Sequence, residues 1–168
     1  MSFMFSSCES LKKIDGLNNF ITDNVINMAG MFEFCRELEY LDLSNFNTSE
    51  VTDMSKMFLA CNKLKKIDGI NNFITNNVIN MADMFNGCSV LEQLDLSNFD
   101  TSNVCNMKNM FKDCSRLKYL NLSNFLVGEK CYDNIFYNIE CKECRLIAKS
   151  KRLKNEFEDR FIIRYIPH

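Results

Sequence analysis

A repeat of 26 or 27 residues runs through most of the sequence and constrains its fold more than any other feature. Met-Phe pairs mark the repeat, and a cysteine follows three residues after each Phe. The pairs are Met4-Phe5, Met31-Phe32, Met57-Phe58, Met84-Phe85 and Met110-Phe111, and the cysteines are Cys8, Cys35, Cys61, Cys88 and Cys114. A unit of this length buries its apolar face only against neighbouring units. The period therefore predicts a solenoid in which equivalent residues lie above one another.

Apolar residues change their spacing within each repeat, and that change predicts the local structure. Leu41 and Leu43 alternate with a polar residue as in a short strand, so stacked repeats are expected to form a parallel sheet. The Asn- and Thr-rich stretch after Phe46 is typical of a turn. The stretch from Met57 to Cys61 is predicted to form a short helical turn, which makes the fold class α/β.

An extra glycine distinguishes alternate repeats. Counted from the Met-Phe pair, repeats 1 to 4 are residues 4–30, 31–56, 57–83 and 84–109. Repeats 1 and 3 contain Gly16 and Gly69 directly after the strand aspartate, which accounts for their extra residue. We interpret this glycine as a β-bulge, because the insertion must be absorbed without moving the following Phe out of the core.

The nine cysteines raise the question of disulfides and metal binding. Five belong to the repeat column, where neighbours about 4.8 Å apart with parallel side chains are badly placed for bridging, so buried free thiols are predicted. Cys141 and Cys144 form a CxxC pair that, with Cys131 and His168, has the donor number of a zinc site. A second CxxC pair is missing, so ordinary thiols in a turn are favoured, and neither a metal nor a cofactor is predicted.

Three polar columns follow the repeat. The asparagines Asn19, Asn45, Asn72, Asn98 and Asn124 are expected to bond from one repeat to the next. The strand positions Asp15, Asp42, Asp68 and Asp95 are followed by Asn121. A row of carboxylates can collect a cation or a basic partner, although a solvated row bonded to nearby backbone is favoured. The third column, Lys12, Glu39, Lys65, Glu92 and Lys118, alternates in sign and is expected to favour the stacking register.

Charge and motifs argue against several functions. The net charge is −2, and Lys and Arg exceed Asp and Glu only in residues 141–168, so no overall field favours nucleic acid or an anionic membrane. No apolar run approaches the roughly 18 residues needed to span a bilayer. There is no phosphate loop, GxSxG or HExxH motif, and the only histidine is His168. No enzymatic activity is therefore predicted.

The repeat pattern ends before residue 137. Residues 1–136 are predicted to form the solenoid, and residues 137–168 a C-terminal α/β cap that covers its last turn. The elements predicted within the cap are a strand Arg145–Ala148, a helix Lys151–Arg160 with Ser150 as its N-cap, and a last strand Phe161–Ile166.

The first residues, MSFMFSSCES, already belong to a repeat and lack the layout of a signal peptide. Phe5, Leu11 and Phe20 are therefore expected to leave an apolar edge uncovered, a situation that natural chains normally cap or pair. A longer array, of which this chain is a piece, and end-to-end self-association through the first repeat are the two expected solutions.

Two stretches carry a family resemblance: LEYLDLSNFNTSEVTDMSKMF and LEQLDLSNFDTSNVCNMKNMF. They resemble BspA-like leucine-rich-repeat surface proteins, of the lipoprotein-associated repeat type found in mycoplasmas, spirochaetes and gut bacteria. The resemblance spans residues 4–125 and implies a right-handed leucine-rich-repeat solenoid of about five units, used for adhesion or protein binding outside the cell. The sequence has no lipid-attachment cysteine or wall anchor, so a surface protein, a fragment of one and a cytoplasmic protein all stay open.

The exposed side of the predicted strands is the expected binding surface. Its candidate residues are Lys13, Tyr40, Asp42, Lys66, Asp68, Gln93, Asp95 and Tyr119. Tyr40 and Tyr119 stand out because an exposed Tyr offers a large contact area with a polar tip. By the resemblance, the partner is another protein, such as a host matrix or cell-surface protein. The alternative is a purely structural or self-assembling segment of a longer surface protein, in which both tyrosines only lie over neighbouring side chains.

Overall fold

The computed structural model describes residues 1–125, 135–137, 145–148 and 162–165, the last two ranges by their backbone alone. Turns and irregular segments make up most of these residues. The strands are β1, Tyr40–Asp42; β2, Lys66–Asp68; β3, Gln93–Asp95; β4, Tyr119–Leu122; β5, Arg145–Ala148; and β6, Ile162–Tyr165. Two short 3₁₀ helices are also present, at Leu17–Asn19 and Ile70–Asn72.

The strands form two separate parallel sheets. β1 pairs with β2, with Leu41 opposite Ile67. The second sheet has the order β3-β4-β5-β6, and Leu94 lies opposite Leu120 within it. β2 and β3 belong to different sheets and do not pair with each other. Parallel pairing of equivalent strand positions is thus confirmed, whereas the break between β2 and β3 was not predicted.

The fold class predicted from the sequence is wrong. An α/β right-handed leucine-rich-repeat solenoid of about five units needs a helical turn in each unit and one sheet through all of them. The described residues contain no α-helix and no continuous sheet, and their strands are three or four residues long. One physical reason lies at the strand ends. The Asp42 side chain accepts a hydrogen bond from the backbone N–H of Ser44 at 3.0 Å, a local turn that stops the strand.

The segments after the Met-Phe pairs show why no helix forms there. In a helix each N–H donates to the carbonyl four residues earlier. Here Phe58 N donates to Met84 O at 2.9 Å, in the next repeat. Ala60 N donates to Asn86 O at 2.7 Å, and the positive φ of Ala60, 57°, is incompatible with a right-handed helix. The same left-handed conformation recurs at the equivalent residues Ser7, Phe34, Gly87 and Asp113. Phe58 and Ala60 thus bind the next repeat, while the N–H group between them closes a tight turn within the repeat, with Leu59 N donating to Lys56 O at 3.0 Å.

The core consists of equivalent side chains packed in layers. The ring centroids of Phe58 and Phe85 lie 5.3 Å apart, and those of Phe32 and Phe58 5.8 Å apart, with nearly parallel planes. These three rings are fully buried. Burial of one such side chain contributes about 2–3 kcal/mol, so the Phe column is a main source of stability.

The asparagine column bonds between repeats, but to different acceptors from those expected. Asn45 Nδ2 donates to the backbone carbonyl of Asn18 at 3.0 Å. Asn98 Nδ2 donates in the same way to the carbonyl of Asn71 at 2.8 Å. The acceptors are main-chain oxygens of the preceding repeat and not neighbouring amides, and these asparagines are exposed.

Buried threonines, which the sequence did not single out, form a second polar column. Thr48 is 1% exposed, and its hydroxyl accepts from Ile74 N at 2.8 Å and donates to Ile74 O at 2.9 Å. One hydroxyl therefore satisfies both backbone groups of a residue in the next repeat. Thr22, Thr75 and Thr101 are the other buried members.

Four of the column cysteines are confirmed as buried free thiols: Cys35, Cys61, Cys88 and Cys114. Each thiol lies against a Phe carbonyl of the preceding repeat, as in Cys61 Sγ, which donates to Phe32 O at 3.1 Å. Desolvation raises the pKa of Cys35 to about 11 and that of Cys114 to about 12. Cys8 is exposed, contrary to the prediction, because no described repeat packs on the outer side of repeat 1.

Two of the predicted C-terminal elements are confirmed. β5 has the predicted bounds, and β6 lies within the predicted Phe161–Ile166. The other predicted features lie outside the described residues: the helix Lys151–Arg160, its N-cap Ser150, and Cys131, Cys141, Cys144 and His168. The domain division into residues 1–136 and 137–168 stays a prediction.

Candidate binding face

The strand face consists of the outward residues of β1 to β4 and the equivalent stretch of repeat 1. In β1 the buried Leu41 lies between Tyr40 and Asp42, which face outward, and the other strands alternate in the same way. This alternation places Lys66, Asp68, Gln93, Asp95 and Tyr119 on the same side, and Lys13 lies exposed at the equivalent position of repeat 1.

A cleft of about 320 Å³, the central cleft, lies where β2 and β3 fail to pair. Five of the eight predicted residues line it: Lys66, Asp68, Gln93, Asp95 and Tyr119. Gly69 and Ile70 also line the cleft, so apolar and polar groups meet there.

A smaller cleft of about 210 Å³, the first cleft, lies at the equivalent place in repeats 1 and 2. The remaining predicted residues, Lys13, Tyr40 and Asp42, line it together with Asp15 and Gly16. The structure therefore divides the predicted set between two related clefts instead of presenting it as one even surface.

Both clefts lie beside a glycine-containing repeat, and the glycine lines the cleft in each case. Gly16 and Gly69 have φ of 82° and 78°, in the left-handed region that favours glycine, and each begins a 3₁₀ helix. A Cβ on Gly69 would lie 2.4 Å from Ser44 Cα, so repeat 3 packs closely on repeat 2 at this point. The extra residue is taken up in this turn and not in a β-bulge, which corrects the interpretation from sequence. The opposite edge of β2 does not pair with β3.

Tyr40, Lys66 and Asp68 form a hydrogen-bonded cluster beside the clefts. Tyr40 Oη donates to Asp68 Oδ2 at 2.7 Å, and Lys66 Nζ lies 2.8 Å from Asp68 Oδ1. Lys66 Nζ also lies 5.9 Å from the centroid of the Tyr40 ring. The hydrogen bond to Asp68 raises the pKa of Tyr40 to about 12, and the bonds from Lys66 and Tyr40 lower the pKa of Asp68. The cluster holds the Tyr40 ring in place while 37% of the residue stays exposed.

The aspartate column divides into two kinds. Asp42 and Asp95, in the glycine-free repeats, accept hydrogen bonds from the backbone N–H two residues later, at 3.0 and 2.9 Å. Asp15 and Asp68, which precede the glycines, pair with the lysine two residues earlier, at 2.5 and 2.8 Å. Hydrogen bonds from the Ser44 side chain and from its backbone N–H lower the pKa of Asp42. Each carboxylate thus has a local partner, so the column is not an open row for a cation.

The column of alternating charge is broken at the same place. Glu39 and Lys65 pair at 2.7 Å, and Glu92 and Lys118 pair at 3.0 Å. Between these pairs, Lys65 and Glu92 line a further cleft of about 450 Å³ that also contains Arg116. The missing β2–β3 pairing therefore separates charges that the sequence pattern placed in one continuous series.

The face offers aromatic surface and hydrogen-bonding groups. Tyr119 is half-buried, and Gln93 is exposed beside it. Within residues 1–125 and the other described ranges, no three His, Cys, Asp or Glu side chains converge in a way that would hold a metal ion. Among the described helices, none has the length and apolar character needed to cross a membrane.

Sequence reasoning identified the residues of the face and missed the clefts. The available signal was the glycine that recurs in every second repeat, because it shows that neighbouring repeats are not equivalent at the strand end. The glycine pattern alone does not specify that β2 and β3 fail to pair, which is a feature of the folded chain.

Residues 1–69 and 35–143 match a family model described as "Mycoplasma protein of unknown function, DUF285". The two matches together cover more than half of the chain, which therefore belongs to this family. They overlap, as expected for a repetitive sequence. A search of curated proteins and a search of solved structures gave no match. The family description assigns no function, so a function has to be argued from the site.

Proposed function

We propose that this chain binds another protein through its strand face, with the two clefts receiving side chains of the partner. The observation that carries the proposal is that all eight predicted residues line one of two solvent-open clefts, with a tyrosine at each. Concave sites that combine apolar surface with a few placed polar groups are typical binding sites, and tyrosine is favoured where binding energy concentrates.

The spacing of the clefts suits an extended segment of the partner. They are two repeats apart, which corresponds to about 10 Å at the usual strand spacing of about 4.8 Å. An extended chain rises about 3.3 Å per residue, so a segment of about four residues reaches from one cleft to the other. Such a segment would engage the two clefts together and gain affinity from both.

Polar and basic side chains fit the chemistry of the clefts. Asp42 and Asp95 each use one carboxylate oxygen for the local turn, and that bond holds the carboxylate in a fixed position. A carboxylate has several acceptor sites, so each of the two can also accept from a donor of the partner. The Lys66–Asp68 pair is neutralised by its own contact at 2.8 Å, so the net field of the central cleft is acidic.

The resemblance to BspA-like surface proteins supports adhesion as the form that this binding takes. On this view the partner is a host matrix or cell-surface protein, and the chain acts at the cell surface. The proposal assigns the contact to the strand face whichever protein is the partner. The first experiment therefore tests whether that face makes the contact.

A photo-crosslinking amino acid at Gln93 tests the face directly, and the same amino acid at Glu50, in an exposed turn, is the matched control. Extracts of host cells and of isolated host matrix are the two sources of partner. We expect a discrete protein adduct from position 93 and none from position 50. Equal adducts from both positions would show unspecific contact and overturn the assignment.

A second measurement uses the captured protein in purified form. We expect the Tyr40→Ala, Tyr119→Ala double variant to bind it at least about tenfold more weakly than the wild type, because each tyrosine is a contact of hot-spot type. Glu50→Ala should bind as the wild type does. Binding that is unchanged in the double variant would remove the strand face from the proposal.

A structural or self-assembling role is the second candidate, and the exposure of apolar residues in and beside repeat 1 favours it. Phe3 and Met4 are 53% and 52% exposed, and Phe5 is only partly buried although its ring stacks on Phe32. End-to-end association there would bury these side chains. We expect the Phe3→Ser, Met4→Ser double variant to abolish any assembly of this kind in sedimentation velocity, whereas assembly that persists would contradict it.

A further inference from the structure

A third cleft, of about 450 Å³, adjoins the central cleft and has no role in the binding proposed above. The residues that line it precede or begin β2, β3 and β4, and they are Lys65, Lys66, Val90, Glu92, Gln93 and Arg116. Three of them are basic and one is acidic, whereas two aspartates and one lysine line the central cleft. The two clefts share Lys66 and Gln93, so a basic site and an acidic site lie side by side.

Arg116 is the one charged residue of the third cleft without an ion pair. The other three charged side chains form the ion pairs described above, at 2.7, 2.8 and 3.0 Å. Arg116 is exposed, and its guanidinium makes no hydrogen bond, ion pair or ring contact with the residues that the structure describes. The positive charge of this cleft is therefore concentrated on one side chain that is open to a ligand.

The repeat pattern explains why Arg116 has no carboxylate beside it. Glu37, Lys63, Val90 and Arg116 occupy one position of the repeat, directly before a buried Leu, in repeats 2 to 5. Glu37 and Lys63 neutralise each other at 2.7 Å. The next pair in the column is Val90 and Arg116, and a half-buried valine carries no charge. In the third cleft, Arg116 therefore lies where a carboxylate would complete the pattern.

We propose that the third cleft binds an acidic side chain of the partner protein, whose carboxylate pairs with Arg116. This inference rests on the proposed function, because the same partner occupies the strand face. A guanidinium donates two parallel hydrogen bonds to a carboxylate, which gives both strength and a defined orientation. An ammonium group has three donors, so Lys65 and Lys66 can also donate to the bound carboxylate. Val90 supplies apolar surface for the methylene groups of the acidic residue.

A single unpaired cation suits a protein carboxylate better than a polyanion. A sulfated polysaccharide or a nucleic acid carries charge along its whole length and is held by several cations. The acidic central cleft would repel such a chain directly beside the third cleft. A protein segment can instead place an acidic residue at Arg116 and a basic or polar residue near Tyr119. These two positions are about 10 Å apart in an extended chain, which corresponds to about three residues of the partner.

Selection from a random peptide library tests the third cleft before any partner is known. The wild type and Arg116→Gln are the two baits. We expect the wild type to enrich peptides with Asp or Glu about three positions from Lys or Arg, and Arg116→Gln to lose the acidic preference. Lys63→Gln is the matched control, because it removes a cation from the same repeat position, where Glu37 already neutralises it. This control should keep the preference.

A selected peptide then gives the size of the effect. Replacing its acidic residue by the corresponding amide should raise the Kd for the wild type about tenfold and leave the Kd for Arg116→Gln unchanged. Val90→Glu should also weaken the original peptide about tenfold, because the new carboxylate would pair with Arg116 within the chain. Arg116→Gln should leave the urea midpoint unchanged, since the described residues make no contact with the guanidinium.

The outcomes separate this proposal from the proposed function. Failure to enrich acidic peptides, or an acidic preference that persists in Arg116→Gln, would overturn the third cleft, while a crosslink from Gln93 would still support the strand face. A heparin oligosaccharide that bound the wild type more tightly than the selected peptide would overturn the choice of a protein carboxylate. Binding that depends on Arg116 but is unchanged in the Tyr40→Ala, Tyr119→Ala variant would support the third cleft and remove the strand face.

Discussion

Repeats with and without the extra glycine share their Met-Phe segments and differ at their strand ends. Phe32, in the glycine-free repeat 2, and Phe58, in the glycine-containing repeat 3, both bind the next repeat through a backbone hydrogen bond of 2.9 Å. Their rings are equally buried. At the strand end, Asp42 binds its own backbone, whereas Asp68 binds Tyr40 and Lys66 instead.

This difference shows that an inserted residue can change one side of a repeat and leave the other side unchanged. One side of the inserted Gly69 lies tightly against Ser44, and the other side borders the central cleft. The Phe layer on the far side of the repeat keeps its spacing, because its hydrogen bonds are made by a different segment. A surface feature is thus produced without a change in the core.

Truncation of a Phe in the buried Phe column should cost the same stability in both kinds of repeat. Phe58→Ala, in repeat 3, and Phe85→Ala, in repeat 4, are each expected to lower the free energy of unfolding by about 3–5 kcal/mol through lost burial and a cavity. Urea titration measures both. A difference beyond about 1.5 kcal/mol between the two variants would show that the glycine reaches into the core after all.

Substitution of the two glycines should lower the free energy of unfolding by different amounts, although both occupy the same place in the repeat. Gly69→Ala is expected to cost about 2–4 kcal/mol, because the left-handed strain adds to a collision of the new Cβ with Ser44. Gly16→Ala should cost only about 1–2 kcal/mol, since its nearest contact would be Asn19 Nδ2 at an ordinary 3.5 Å. Equal losses in thermal or urea unfolding would contradict the close packing of repeat 3 on repeat 2.

The cysteine column should behave alike in both kinds of repeat and differ from the exposed thiols. In folded protein at neutral pH, Cys8→Ser and Cys105→Ser should each remove one thiol that reacts quickly with dithiobisnitrobenzoate. Cys61→Ser and Cys88→Ser should remove none, because burial keeps these thiols inaccessible and raises their pKa. Loss of a fast-reacting thiol in either of the last two variants would show that the column opens.

Because the buried thiols have raised pKa values, the protein is expected to lose stability in alkaline solution. Burial raises the pKa of Cys35 to about 11 from an ordinary value of 9.0. A raised pKa stabilises the folded state fully below the ordinary value, and this stabilisation is lost as the pH rises through the folded value. The urea concentration at the unfolding midpoint should therefore decrease as the pH is raised above about 9. The decrease should be smaller in Cys35→Ala than in the wild type.

The smallest expected effect concerns the paired side of the charge column. Glu39→Lys should lower the urea midpoint slightly more than Glu50→Lys, because Glu39 pairs with Lys65 at 2.7 Å and Glu50 lies in a polar turn. The bond from Lys65 lowers the pKa of Glu39 below its ordinary 4.5, so its contribution is present above that pH and is lost on acidification. The pairing would be contradicted if the urea midpoints of Glu39→Lys and Glu50→Lys still differed in strong acid. It would also be contradicted if both substitutions shifted the midpoint equally at neutral pH.

Several parts of this structure were predictable because they depend only on the residue type at one position of the repeat. The buried Leu41 between exposed neighbours, the parallel pairing of Leu41 with Ile67, and the free thiol of Cys61 follow from the period and from side-chain alternation. The eight predicted residues of the strand face followed from the same alternation. Thr48 was missed because a turn of polar residues contains no sign of which hydroxyl lies inside.

The sequence by itself determined which residues lie above one another, since the repeat period sets the column of every side chain. Only the tertiary structure decided what the connecting segments become. Ala60 adopts a left-handed conformation because its N–H finds the carbonyl of Asn86 in the next repeat, and that contact replaces the predicted helical turn. The missing pairing between β2 and β3 is likewise a feature of the folded chain alone. Contacts between repeats compete with hydrogen bonds within a repeat, and their balance depends on distances that a linear pattern does not contain.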